Sequence, residues 1–467
     1  MVKNLDRIVY KIVVSTEMID IVEARMTYQP TKEGMIMAEG KKEQVTQSGI
    51  DRRTFIKTTG IVTGSVLLGG FHFVRLSQAQ DTGPIKVGFP IPLTGPYGTE
   101  AKDQQAGAEL AIAQINAKGG ILGRKVELLV RDTKLNAAEA ARRAKELIES
   151  EHVHIMSGVL SAANQLAVNE QCKLHGIPYV SVSQANEITQ RPDNSIYTYH
   201  EAMDPHMTTQ AVGEYVAKKY GKKWYFLTSD YAYGWQMTDG FIRRGKEYGA
   251  KSVGETKHPL GTSDYSSYMP RILAAKPDVL FLNNFGKDQI NSAKQATAFG
   301  LKKKMQIVCP ILLMSSRLGG GEEPFDGVIG GTSFYWEMNH PTAKEFVAAF
   351  QKANGRPPID YAGYAYGGVK EILMGVERAG SLDPTKLAEA IEGRTYDNYK
   401  GPQWWRPCDH QSQQDVFIIK SKKAKAEYDV FQIIQTVSGK GERLLRTCIE
   451  VGQNPSKPIR SGLIEKK

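Results

Sequence analysis

Two α/β lobes in series, each built on a parallel sheet and joined by more than one crossing of the chain, are predicted by three features of the chain. Short apolar segments alternate with segments of helical period between residues 85 and 200, the pattern of βαβ units and a parallel sheet. The alternation restarts after Thr198-Tyr199-His200. From residue 341 three helical segments follow one another almost without strands, and β-like pieces return at 415–419 and 428–432, so the chain crosses between the lobes more than once.

Ile85-Lys86-Val87-Gly88-Phe89-Pro90-Ile91 reads as a buried first strand. Helix 104–117 follows, with Ala108, Leu110, Ala111, Ile112 and Ile115 at helical spacing and Gly119-Gly120 closing it. Strand 125–131, helix 137–149, strand 154–158, helix 162–175 and strand 178–181 complete the first series. The second runs through helix 205–220, strand 224–228, helix 233–248, strand 251–257, helix 265–275, strand 279–282, helix 289–299 and strand 305–308. Gly319-Gly320-Gly321 reads as a flexible turn, and 327–331 approaches a crossing point. Helices 341–354, 362–380 and 384–392 are expected to cover the first sheet, and the β-like tail to complete the second. This places 84–204 with 334–404 in lobe one, 205–333 with 405–450 in lobe two, and 451–467 in a tail. More than one crossing allows a hinge motion with little twist.

Ahead of the first strand, Asp51-Arg52-Arg53-Thr54-Phe55-Ile56-Lys57 precedes a weakly apolar run, 60–73, and the small-residue site Ser77-Gln78-Ala79. Charge before a short apolar segment and a cut site is the layout of a secretory signal. The pair Arg52 and Arg53 resembles the twin-arginine motif, an address read by the export machinery of the bacterial inner membrane. The apolar run is shorter than the roughly 20 residues that span a bilayer. Residues 51–79 are therefore read as a twin-arginine signal peptide and the mature part as an exported, periplasmic protein. The leader 1–50 has no place in that layout, and Met35 or Met37 is the better expected start.

Without residues 1–79, 49 Lys and Arg stand against 42 Asp and Glu, a net +7 spread along the chain. The basic runs 302–304 and 420–425 contain no interleaved aromatics and read as solvated surface, so no nucleic-acid partner is expected. The remaining 388 residues suffice for two domains. None of Cys172, Cys309, Cys408 and Cys448 lies near the end of the signal, so no lipid-anchoring cysteine is expected there. An oxidising compartment permits disulfides, and Cys408 and Cys448, which flank a strand-rich segment, are expected to be bridged; connectivity is not readable from spacing.

Strand one ends in Pro92-Leu93-Thr94-Gly95-Pro96-Tyr97-Gly98. Further on come the stretches 107–113, 115–123, Gly158-Val159-Leu160-Ser161-Ala162, 177–181 and Tyr231-Ala232-Tyr233-Gly234. This ordered set, over about 84–435, resembles the substrate-binding proteins of branched-chain amino acid type ABC transporters, leucine-binding-protein-like. The resemblance implies a type I periplasmic binding protein fold, two doubly wound Rossmann-like α/β lobes joined by a multi-strand hinge, with a small-molecule solute held between the lobes, no catalysis and no cofactor. It also implies delivery to the membrane permease and ATPase subunits of an importer, by a protein expected to be monomeric.

Open α/β sheets bind ligands beyond the carboxyl ends of their strands. That rule selects the loops 94–100, 158–163 and 181–187 of the first lobe and 231–234, 283–286 and 310–313 of the second. The candidate ligand-binding residues are Tyr97, Glu100, Ser161, Ala162, Ser183, Gln184, Tyr233, Asn284 and Leu312. The helix that starts at Ser161-Ala162 presents backbone N–H groups suited to a carboxylate, and Ser183 and Gln184 add donors. The resemblance implies that Tyr233 packs on the solute when the cleft closes. Leucine-binding relatives place hydroxyls where Ala162 and Ala185 stand, and a glutamate against the ligand ammonium where this chain has Ile311-Leu312-Leu313. A buried ammonium without counter-charge costs several kcal/mol. Glu100 is the remaining candidate for that charge. Tyr97, Tyr231, Tyr233 and Phe285, with Leu312 opposite, suit instead an apolar or aromatic solute with one polar or anionic end, a carboxylate or an amide. The alternatives are a branched-chain amino acid or, in a different class, a ligand-sensing receptor module, which would need a transmembrane helix.

Enzyme readings find no support. No Gly-x-Gly-x-x-Gly follows the first strand, and neither a Walker-type loop nor a Gly-x-Ser-x-Gly elbow is present. Cys408-Asp409-His410 reads as a bridge and a capping aspartate, and no metal site is expected.

Overall fold

The structure, a computed structural model, describes residues 83–460. The export signature with Arg52 and Arg53 and the leader lie outside the described residues. In chain order the first series is β1 (Ile85–Ile91), α1 (Gly98–Ala117), β2 (Val126–Asp132), α2 (Ala137–Glu149), β3 (Ile155–Gly158), α3 (Ala162–His175), β4 (Tyr179–Ser181) and β5 (Thr198–His200). These strands form one parallel sheet in the order β2-β1-β3-β4-β5. Ile85, Val87, Phe89 and Ile91 are fully buried and so are their neighbours Gly88 and Pro90, because helices cover both faces of a parallel sheet.

The second series is α4 (Pro205–Lys219), β6 (Lys223–Ser229), α5 (Ala232–Glu247), β7 (Lys251–His258), α6 (Met269–Ala275), β8 (Val279–Asn283), α7 (Lys287–Ala298), β9 (Gln306–Ile311), α8 (Met314–Gly320), α9 (Glu322–Phe325) and β10 (Ile329–Thr332). Next come α10 (Pro341–Asn354), α11 (Asp360–Ala379) and α12 (Pro384–Ile391), then β11 (Thr395–Tyr396), β12 (Gln403–Trp405), β13 (Ser412–Gln413), β14 (Val416–Ser421) and β15 (Phe431–Val437). The second sheet runs β15-β14-β10-β9-β8-β6-β7; the tail completes it as expected, with β15 starting at Phe431 rather than 428, and β14 and β15 lie antiparallel to β10 and to each other. The two lobes are thus doubly wound. Helix α11 lies on α1 so closely that a Cβ at Gly107 would sit 2.1 Å from the Ala362 carbonyl oxygen, and Gly368 faces Val180 of the first sheet. The late helices therefore cover lobe one.

Several elements differ from the sequence expectation. Helix α1 begins at Gly98 rather than 104, and Glu100 lies in its first turn. Asp103, which falls inside the helix, is buried: it pairs with Arg356 at 2.5 Å and accepts the Ile359 and Ala362 N–H groups at 3.2 and 3.1 Å. Gly319 and Gly320 close helix α8 instead of forming a flexible turn, since the Phe325 ring packs where a Cβ at Gly320 would stand. The sheet β11-β12-β13 has no sequence signal. Cys408 and Cys448 are bonded, while Cys172 and Cys309 are free and buried. Beyond this bridge, Arg446 donates to the Asn186 carbonyl at 2.6 Å, Gln453 to Asn194 Oδ1 at 2.6 Å, and the Arg191 N–H to the Val451 carbonyl at 3.1 Å. The stretch 446–453 therefore lies along the loop between β4 and β5. Among the described residues no helix is long and apolar enough to cross a membrane.

Candidate functional site

In the first sheet the strand order reverses between β1 and β3, and in the second between β6 and β8. Ligands bind beyond strand ends at such switch points. The loops after these strands face each other around a small, partly open cavity. Its walls are Tyr97 after β1, Leu160, Ser161 and Ala162 after β3, Ser183 and Gln184 after β4, Tyr231 and Tyr233 after β6, and Phe285 after β8, with Tyr361 from the first turn of α11. No charged side chain lines it.

The polar end of the cavity belongs to lobe one. Val159 and Ser161 have φ of 76° and 75°, sparsely populated for non-glycine residues and for a β-branched one above all. Gln104, buried in α1, donates to the Val159 carbonyl at 3.1 Å and so holds this turn. The turn aims the start of α3 at the cavity, and its Ala162 and Ala163 amides have no acceptor within the helix. Ser161 Oγ already accepts the Asn164 N–H at 3.3 Å. The 183–184 loop is fixed from behind, where His200 Nε2 and Gln165 Nε2 meet the Ser183 carbonyl at 2.5 and 3.2 Å. Gln184 is buried, and neither its amide nitrogen nor its oxygen has a protein partner; the Tyr233 hydroxyl is likewise unpartnered. A buried polar group left unpaired costs about 1–3 kcal/mol.

The opposite walls are aromatic. Tyr97 and Phe285 meet edge to face at 4.9 Å, Phe285 and Tyr361 at 5.6 Å, and Tyr231 and Tyr233 stack at 5.9 Å. Burial pushes the Tyr97 and Tyr233 hydroxyls well above their usual pKa, so both stay protonated. The lobes touch around the cavity: the Tyr97 and Tyr231 hydroxyls are 2.9 Å apart, and Ser315 Oγ donates to Glu100 Oε1 at 2.6 Å. The Asn186 N–H donates to Gln236 Oε1 at 2.7 Å. The cleft is closed.

Of the sequence candidates, Tyr97, Ser161, Ala162, Ser183, Gln184 and Tyr233 come together in the cavity wall; Glu100, Asn284 and Leu312 do not. Glu100 is spent on Ser315 across the cleft, and burial raises its pKa. Asn284 braces its own lobe, donating to Ser292 Oγ at 3.0 Å while its carbonyl accepts from Gln289 at 3.2 Å. Leu312 is core, because a Cβ at Gly330 would come 2.4 Å from its own Cβ and the glycine lets it drop against β10. Sequence reasoning missed Tyr361: in a helix with Tyr364 and Tyr366 nothing separates a wall residue from a core one.

The model of the family described as periplasmic binding protein matches residues 84–426. The chain belongs to this family. It is a substrate-binding protein of the ABC transporter type rather than an enzyme, and members bind small solutes and deliver them to permease components. The Leu/Ile/Val-binding protein homolog 4 of Brucella abortus is 27% identical over 384 residues, covering 78% of this chain and 91% of that one. A periplasmic binding protein from Burkholderia mallei superposes with a TM-score of 0.73 at 25% identity, covering 78% and 96% of the two chains. A solute-binding protein of an ABC transporter from Rhodopseudomonas palustris, in complex with 3,4-dihydroxybenzoic acid, gives a TM-score of 0.70 at 25% identity, covering 76% and 98%.

Proposed function

We propose that this binding protein captures a single-ring aromatic carboxylate in the periplasm and delivers it to the permease and ATPase subunits of an importer. The observation that carries the reading is an aromatic, uncharged cavity with two unpartnered polar groups, Gln184 and the Tyr233 hydroxyl, at its edge. The ring lies among Tyr97, Tyr233, Phe285 and Tyr361. The carboxylate faces the start of α3, where the helix dipole favours an anion, and Ser183 and Gln184. An α-amino acid would bring an ammonium against walls without an acid, at a cost of several kcal/mol. The Rhodopseudomonas relative with 3,4-dihydroxybenzoic acid supports the aromatic choice.

The Brucella relatives' name favours a second reading, a branched-chain amino acid. Calorimetry separates the two: benzoate, 4-hydroxybenzoate or 3,4-dihydroxybenzoate is expected to bind at micromolar concentration or below, and leucine, isoleucine and valine not. Binding of the aliphatic amino acids alone would overturn the aromatic reading. Export through the twin-arginine machinery belongs to the same proposal, and Arg52→Lys with Arg53→Lys is expected to leave the precursor in the cytoplasm. The working form is a monomer, with 84–204 and 334–413 in lobe one and 205–333 and 414–445 in lobe two rather than a limit at 404, because β13 pairs with β12 and 446–453 lies along the β4–β5 loop.

A further inference from the structure

Three segments carry the chain between the lobes: 201–204 after β5, 333–340 after β10 and 414–415 after β13. Their first residues are Glu201, Ser333 and Gln414, and one side chain meets all three. Lys400, buried between β11 and β12, donates from Nζ to Gln414 Oε1 at 2.6 Å and to Ser333 Oγ at 3.3 Å, and lies 3.8 Å from Glu201 Oε1. The Tyr364 and Tyr399 rings face the same ammonium at 4.9 and 4.8 Å.

The partners are themselves tied together. Gln414 donates its amide to the Glu201 carbonyl at 2.7 Å, and Ser333 Oγ donates to the Tyr364 hydroxyl at 3.0 Å. The Glu201 carboxylate accepts from Tyr399 at 3.0 Å, from Gln403 at 2.7 Å and from Tyr396. The residue before Glu201 is His200, which meets the carbonyl of Ser183 in the cavity wall. A charge so deeply buried is costly unless every donor is used, and an apolar side chain would fill the space at less cost. Reach is what the lysine adds: a single Nζ touches the start of each crossover.

We propose that Lys400 is a positioning residue for solute binding, its ammonium fastening the three crossovers at the angles they take when the cleft is closed. Hinge bending is absorbed by a few backbone dihedrals in such segments. Three acceptors within 2.6–3.8 Å of one nitrogen stay there over only a narrow range of crossover geometry, so opening the cleft breaks at least one of these contacts inside the core. Lys400 therefore favours the closed arrangement without touching the solute. The inference rests on the reading that solute binds the closed cleft.

The test is an interlobe distance distribution from spin labels on the exposed positions of Lys145→Cys and Lys246→Cys, in α2 of lobe one and α5 of lobe two. It is measured on the full chain with and without 3,4-dihydroxybenzoate. Lys400→Met is expected to deplete the short distance or broaden the distribution, and to speed solute dissociation about tenfold. If Lys400→Met does not fold, Gln414→Leu and Ser333→Ala carry the test, each moving the distribution the same way by less. Folded variants whose distributions superimpose on the wild type, with or without a lower melting temperature, would overturn the proposal. Should no aromatic acid bind, the solute-free distances still report on the hinge, so failure of the solute assignment is read separately.

Discussion

Gln184 is buried with both ends of its amide free, an arrangement that is unfavourable until a solute supplies partners. Gln184→Leu removes those atoms at similar volume. The variant is expected to be as stable as the wild type or more so, by up to about 1–3 kcal/mol, while its affinity for an aromatic acid falls at least tenfold; calorimetry and thermal unfolding measure the two separately. Tyr233→Phe tests the other unpartnered group and is expected to lower affinity several-fold without loss of stability. Both residues were legible in the sequence because they follow strands β4 and β6. Leu312 follows a strand as well, yet faces the core, since the space opened by Gly330 is set by the neighbouring strand and not by its own loop.

Among the elements, the turn between β8 and α7 controls how closely the lobes meet. Gly286 has φ of 57°, and a Cβ there would stand 2.9 Å from Tyr97 Cδ1. Gly286→Ala is expected to cost about 1–2 kcal/mol of stability from the left-handed backbone and, separately, to weaken solute binding more than tenfold by wedging the cleft; scattering under saturating solute would show incomplete closure. The bridge Cys408–Cys448 joins positions 40 residues apart. Loop-closure entropy assigns it about 4 kcal/mol. Cys408→Ser with Cys448→Ser is expected to lose roughly that amount and to speed hydrogen exchange in 446–453, the stretch packed along the β4–β5 loop.

At the scale of the whole molecule, the hinge carries, besides Glu201, a buried acid and a buried base whose protonation burial shifts in opposite directions. Burial raises Asp360, whose carboxylate accepts from Thr332, to about 7, and lowers Lys400 to about 8. Native Asp360 keeps a proton that the unfolded chain loses, so its contribution to stability falls as pH rises from about 4 to 7. Native Lys400 gives up its proton before the unfolded chain does, so stability is regained between about pH 8 and 10.5. Each slope is at most about 1.4 kcal/mol per pH unit. A minimum of stability near pH 7–8 is expected in denaturant titrations, and Asp360→Asn is expected to flatten its acid side. An unchanged acid-side slope in that variant would refute the assignment.

The sequence by itself determined the two α/β lobes, the repeated crossing between them and the strand ends that bear Tyr97, Ser161, Ser183, Gln184 and Tyr233. Periodicity and turn residues are local, and the switch-point rule turns local order into a place for a ligand. Tertiary structure alone decided that Asp103 and Lys400 are buried, that Glu100 and Asn284 are used up by protein partners, and that Tyr361 reaches the cavity. Each depends on a residue far away in the chain, Arg356 for Asp103, Ser315 for Glu100, and Glu201 with Ser333 for Lys400, and no pattern within a single segment encodes which distant group a side chain will meet.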